Sequence, residues 1–142
     1  MAFKFSLESV LKVRKHQEKV QKQKLAEELM KKKKIDDVKV EVQNKLNHYL
    51  ETDSVQTAAN IQTIKRHGRH VLQTHELIRK LGSESQEADK SVSEVRNSLA
   101  DAHKECHILE KLKEVEQQMF SKKIQRSEQK TMDEIATQSF SR

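Results

Sequence analysis

The chain has 142 residues, 35% of them charged, 34% hydrophobic and 4% aromatic, with two Gly, no Pro and a net charge of +6. This is too little apolar mass for a globular core, but enough for the narrow stripe that paired long helices bury. The composition therefore selects an elongated all-α protein and excludes an enzyme built around an enclosed cleft. Disorder is the rival for so polar a chain, and stretches of heptad spacing argue against it.

The first predicted helix covers about residues 5–51, with Ser6 as N-cap and Glu8 at the positive end of the helix dipole. At ~1.5 Å per residue it would be about 70 Å long. Its apolar seam is good at Leu7, Val10 and Leu11 and poor from Arg14 to Lys24. It recovers at Leu25, Leu29, Ile35, Val38, Val42, Leu46 and Tyr49. This helix also carries the whole charge excess. Residues 1–50 hold 13 Lys/Arg and 7 Asp/Glu, whereas residues 51–142 are balanced. The peak, Lys31 to Lys34, reads as a solvated flank, because successive residues of a helix point in different directions. A surface of anionic lipid or an acidic partner is the next reading. Nucleic acid is disfavoured: Trp is absent, Tyr49 is the one stacking ring in this helix after Phe5, and no recognised motif is present.

A break is expected at Thr52–Gln56, where Asp53 and Gln56 have capping-box spacing. A helical connection then covers about 54–89, through Ile61, Ile64, Val71, His75 and Ile78, with Gly68 and Gly82 as interruptions. Gly82 followed by Ser83 and Gln86 could end one helix and start another. A long C-terminal helix follows over about 90–137. Val92, Val95, Leu99, Ala102, Cys106 and Leu109 alternate steps of three and four along one face, so Leu99 and Leu109 belong to an interhelical seam. Beyond Leu109 the pattern becomes ragged at Leu112, Val115, Met119, Phe120 and Ile124, and then polar. The expected architecture is a long antiparallel two-helix coiled coil with a helical connecting segment, forming one domain over 1–142.

Two registers are open. A single turn at Thr52–Gln56 would set Leu11 near Asn97 and leave the chain beyond Lys104 without a partner. If instead 55–89 folds back as shorter helices, Ile35–Leu50 faces Val92–His107 and Leu11 lies near Thr131. The second register is favoured, because it matches the strongest apolar stretches and leaves no long helix unpartnered.

The chemistry available is thin. His103 and His107, with Glu110 and the adjacent Cys106, have partial metal-ligand spacing, but His-Lys-Glu-Cys-His displaces the Glu that a zinc-hydrolase helix needs. Such a pair reads as solvent-facing histidines, and the similarly spaced His67 and His70 read the same way. Cys106 lies on the seam and reads as a small core residue. The four Met are too dispersed for a Met-rich groove. No Gly-rich phosphate loop is present. The expectation is no catalysis, no cofactor and no metal. A lone Cys, no signal-peptide pattern and no apolar run of ~20 residues predict a cytoplasmic protein with at most peripheral membrane association.

Both ends of the chain carry a resemblance. Phe3-Lys4-Phe5-Ser6-Leu7-Glu8-Ser9-Val10-Leu11-Lys12-Val13-Arg14 is followed, near the C-terminus, by Ala102, Lys104, Glu105 and Leu109 to Glu114. Then come Glu128 to Lys130, Asp133, Glu134, Ala136 and a final Phe140. In this order and chain length they resemble the FliJ family of flagellar type III export proteins; the middle, about Lys15 to Asn97, matches only in helical character. The resemblance implies an antiparallel coiled coil like the central stalk of a rotary ATPase. It implies binding to the flagellar export ATPase ring, to the cytoplasmic domain of the export-gate membrane protein and to export chaperones, with no nucleic acid. The implied place is the cytoplasm, peripheral to the inner membrane at the flagellar basal body, in flagellum assembly, motility and chemotaxis. The partner-binding residues it suggests are Phe5, Leu7, Leu11, Arg14, Glu128, Gln129, Lys130, Asp133 and Glu134, brought together at one tip by the favoured register. Periodicity alone equally allows a generic coiled-coil adaptor or holdase, and the charge allows a basic helical binder of nucleic acid or membrane.

Overall fold

The computed structural model describes residues 2–53 and 60–142. Two helices make up the fold: α1, Glu8–Asp53, and α2, Ile61–Phe140. They pack against each other in antiparallel fashion, with no strand among the described residues, as expected of an all-α two-helix coiled coil. The chain divides into two compact units, Met1–Val20 with Leu99–Arg142, and Gln21–Ser98.

Helix α1 starts one residue later than Ser6 as N-cap would place it. The Leu11 amide bonds to the Leu7 carbonyl at 2.9 Å, so Leu7 holds the N-cap position. The reason is packing: residues 2–5 stay outside the helix and put Phe5 into the core. The break expected at Thr52–Gln56 falls mostly outside the described residues. Helix α2 opens with the Ile64 amide bonded to the Asn60 carbonyl at 3.1 Å.

The sequence boundary near residue 89 corresponds to no break, because α2 runs unbroken through Gly68 and Gly82. A Cβ at Gly82 would meet only the end of Lys39 at 3.6 Å, and one at Gly68 would meet nothing within 4 Å. A Gly inside a helix costs only ~1 kcal/mol relative to Ala, which packing along α2 outweighs.

In the first unit the core is small. Phe5, Leu11 and Cys106 are buried, and Phe3, Leu7 and Leu109 pack against them. Phe3 also meets Phe120, with ring centroids 5.6 Å apart. Helix pairing is marked by three polar contacts. Lys113 donates to Glu8 at 2.8 Å, Arg14 pairs with Glu105, and His103 lies 2.9 Å from Glu18. Leu11 therefore sits beside Cys106, neither near Thr131 nor near Asn97.

In the second unit Leu46, Leu81 and Val92 are buried. Lys32 pairs with Asp89, Ser85 donates to Asp36 at 2.6 Å, and Tyr49 packs on His67 and His70. Ile35–Leu50 thus faces α2 well before Val92–His107, which overturns the favoured register. That register assumed that apolar stretches must meet. Instead the seam accepts long charged side chains whose stems pack while their ends pair. The expected seam residues hold their places: Val92 is buried and Val95 half-buried in this unit, and Cys106 is buried with Leu99, Ala102 and Leu109 half-buried in the other.

Leu11 is 2% exposed, the most deeply buried large side chain. Leu11→Ala should lower stability by roughly 2–4 kcal/mol, read from thermal or urea unfolding. Leu11→Cys should form a disulfide with Cys106 on mild oxidation, whereas the registers drawn from sequence place no thiol near it. Gly82→Ala should raise stability by roughly 0.5–1 kcal/mol, since the new methyl meets only a flexible lysine end.

Candidate partner-binding surface

The residues singled out at the two termini lie in one unit but in different environments. Phe5 and Leu11 are buried, Leu7 packs on them, and Arg14 is tied to Glu105 with a further contact of 3.2 Å to Gln17. Phe5, Leu7 and Leu11 face the chain's own core, and Arg14 pairs at its edge. Glu128, Gln129, Lys130, Asp133 and Glu134 are all exposed. The N-terminal segment reaches Phe120 through Phe3. Glu128 lies about 12 Å further along the axis of α2. The two sets are therefore not brought together as a tip.

From Gln125 to Arg142 every residue is exposed, and Ile124 is the last half-buried one. This stretch stays helical without a packed partner because it extends a helix nucleated by packing, which removes the unfavourable first turn. Lys, Glu, Gln and Met are good helix formers. Gln129 donates to Asp133 at 3.4 Å, one turn on. Lys122, Arg126 and Lys130 are one turn apart and form a basic ridge, bounded by Met119. Met132, Ile135 and Phe140 are exposed beyond it. The helix thus presents charged and isolated apolar side chains together on its solvent-facing surface.

Electrostatics near the core follow the pairing. The hydrogen bond from Lys113 holds the Glu8 carboxyl below its usual range, and Lys12 and Lys15 add to this. Burial, followed by the Glu18 and Glu110 carboxylates, pushes the Cys106 thiol up. Such a thiol is protonated and shielded, a packing group rather than a nucleophile. His103 and His107 stack with centroids 6.3 Å apart, and His103 is engaged by Glu18. Among the described residues no group of three or more His, Cys, Asp or Glu is placed to hold a metal ion.

The second unit holds an open groove of about 1050 Å³ lined by Val40, Leu46, Tyr49, His70 and Leu77 among others. Its polar lining residues, Glu41, Asn44, His48 and Thr74 among them, lie along an open helix surface rather than around an enclosed cavity. The lysine run is split there: Lys31 pairs with Glu28 at 2.9 Å, Lys32 enters the seam to reach Asp89, and Lys33 and Lys34 are exposed. Among the described residues no helix is long and apolar enough to cross a membrane.

The model of one protein family, the flagellar FliJ protein, matches residues 3–142. The chain belongs to the FliJ family. No individual curated protein and no solved structure matched it. FliJ proteins are a non-catalytic family of flagellar protein export, and the match spans both termini and the helical middle alike. The exposed segment of α2 was legible to sequence reasoning as a polar, charged end. On the flank formed by Ile108, Leu112, Val115 and Met119, the last three read only as raggedness beyond Leu109, and Ile108 was not singled out. The flank's own three- and four-residue steps were the signal for a second face.

Two measurements check this description. Cys106 should react slowly with a thiol reagent in the folded chain, and at the rate of a free thiol once urea unfolds it. Lys113→Met should return the Glu8 titration midpoint, followed by NMR, to the ordinary carboxylate range. The stability this pair adds is complete above about pH 4.5, the ordinary value, and is lost as the pH falls through the lowered one.

Proposed function

We propose that this chain is the coupling stalk of a flagellar export apparatus. It binds the export ATPase ring and the cytoplasmic domain of the export-gate membrane protein, and it assists delivery by export chaperones. It works in the cytoplasm, peripheral to the inner membrane at the basal body. The observation that carries the reading is the family match over residues 3–142 together with a C-terminal helix segment left without a partner in its own unit. A helix anchored at one end by packing and free on all faces beyond Ile124 can enter a ring of subunits, with Glu128, Gln129, Lys130, Asp133 and Glu134 making the contacts. Phe5, Leu7, Leu11 and Arg14 hold the base of that segment. The ring supplies hydrolysis, and this chain supplies a shaped, charged surface.

The purified chain should hydrolyse no ATP and should raise the rate of the export ATPase. A chain ending at Phe120 should keep its helical signal and cooperative unfolding, because the core of the first unit is intact, yet lose the stimulation. A partner rate that ignores the full-length chain, or responds equally to the shortened one, would overturn the assignment.

A further inference from the structure

The two flanks of the helix pair in the first unit differ. One carries cross-helix ion pairs, Lys15 with Glu110 at 3.5 Å and Lys113 with Glu8 at 2.8 Å. The other carries Arg14 with Glu105 and, beside that pair, an uncovered apolar stripe. On α2 Ile108 is 66% exposed, Leu112 39%, Val115 45% and Met119 66%. Their spacing of four, three and four keeps them on one face of the helix, turned away from the seam through Cys106 and Leu109. Val10 and Val13 are also exposed, and their heptad positions put them on the same flank of α1. Isolated exposed apolar residues are ordinary, but a stripe in heptad register marks a helix-binding face.

The stripe is bounded by charge of opposite sign at its two ends. Before Ile108 stand Glu105, one turn away, and Asp101, two turns away; after Met119 stand Lys122 and Arg126. Asp101, Lys122 and Arg126 have no ion-pair partner among the described residues. We infer that this face pairs with the same face of a second copy, α2 against α2, antiparallel about a two-fold axis between Leu112 and Val115. Leu112 then meets the partner's Val115, and Ile108 meets the partner's Met119. In the same register Asp101 meets the partner's Arg126, and Glu105, whose carboxylate already pairs with Arg14 in its own chain, meets the partner's Lys122 with its second oxygen. All four pairings come from one alignment, so the face is self-complementary in both shape and charge, as an isologous interface requires. A parallel pairing would instead set like charges opposite one another at each end. Val10 and Val13 widen the apolar surface and cover the outer edge of the partner's stripe. The apolar stripe spans little more than three turns, so the dimer is weak and depends on concentration.

The full-length chain is tested by sedimentation equilibrium from low micromolar to about 1 mM, a range that brackets weak association. A reversible monomer–dimer equilibrium is expected. Val115→Asp should weaken it by roughly ten-fold or more, because a charge replaces a buried methyl pair. Arg126→Asp should weaken it too, and adding Asp101→Arg to the same chain should restore it by reversing the pair. Helical circular dichroism shows that each variant still folds, as expected for exposed positions. A chain that stays monomeric throughout the range overturns the inference. So does a dimer indifferent to Val115→Asp and to the charge swap. A monomer that binds an unrelated amphipathic helix on this stripe also refutes the second-copy assignment.

Discussion

The constraint on which the structure depends is register held by polar contacts across a narrow apolar seam. Few apolar side chains are fully buried in either unit. Burial of that kind is non-directional, and a narrow stripe could slide by a heptad at modest cost. The cross-helix pairs cannot slide. In the first unit Glu8 needs Lys113, Arg14 needs Glu105 and Glu18 needs His103. In the second, Lys32 needs Asp89 and Asp36 needs Ser85. A shift of one heptad would set each of these groups against a different residue. Half-exposed pairs add little net stability, so their larger contribution is to the choice among alternatives.

This division of labour explains what the sequence disclosed. Helicity, the two-helix class and the seam from Val92 to Leu109 follow from spacing, and spacing is visible in one dimension. The register is not. Arg14 to Lys24 looks like a gap when only apolar residues are counted, but Arg14 and Glu18 are seam residues that reach Glu105 and His103. Matching apolar stretch to apolar stretch therefore aligned the wrong segments. The continuity of α2 through Gly82 was hidden for a related reason. Whether a glycine ends a helix depends on what packs beside it, and here only the end of Lys39 is near.

The aversion to an unpartnered helix was the other misleading premise. An isolated helix of some twenty residues is marginal in water because its first turn is costly. The segment beyond Phe120 never forms its own first turn. It inherits one from the part of α2 packed against Leu11 and Phe5, and each further residue needs only to propagate. Side-chain bonds such as Thr131 to the Ser127 carbonyl at 3.0 Å and Thr137 to the Asp133 carbonyl at 2.7 Å occupy backbone acceptors along it.

The candidate surface was partly legible for the same physical reason. A signature in sequence does not distinguish residues that touch a partner from residues that hold the touching residues in place. Phe5 and Leu11 are closed off by their own chain, whereas Glu128 to Glu134 lie wholly in solvent, and the family match runs across both. Burial separates the two sets. The aromatic start and the Leu7–Leu11 turn fix where α1 begins and how it sits on α2. The charged end is then the part of the unit with side chains to spare. An apolar flank lies beside it, bounded by Asp101 at one end and Arg126 at the other. The seam, the charged end and the apolar flank lie on separate parts of the unit, so engaging one leaves the others open.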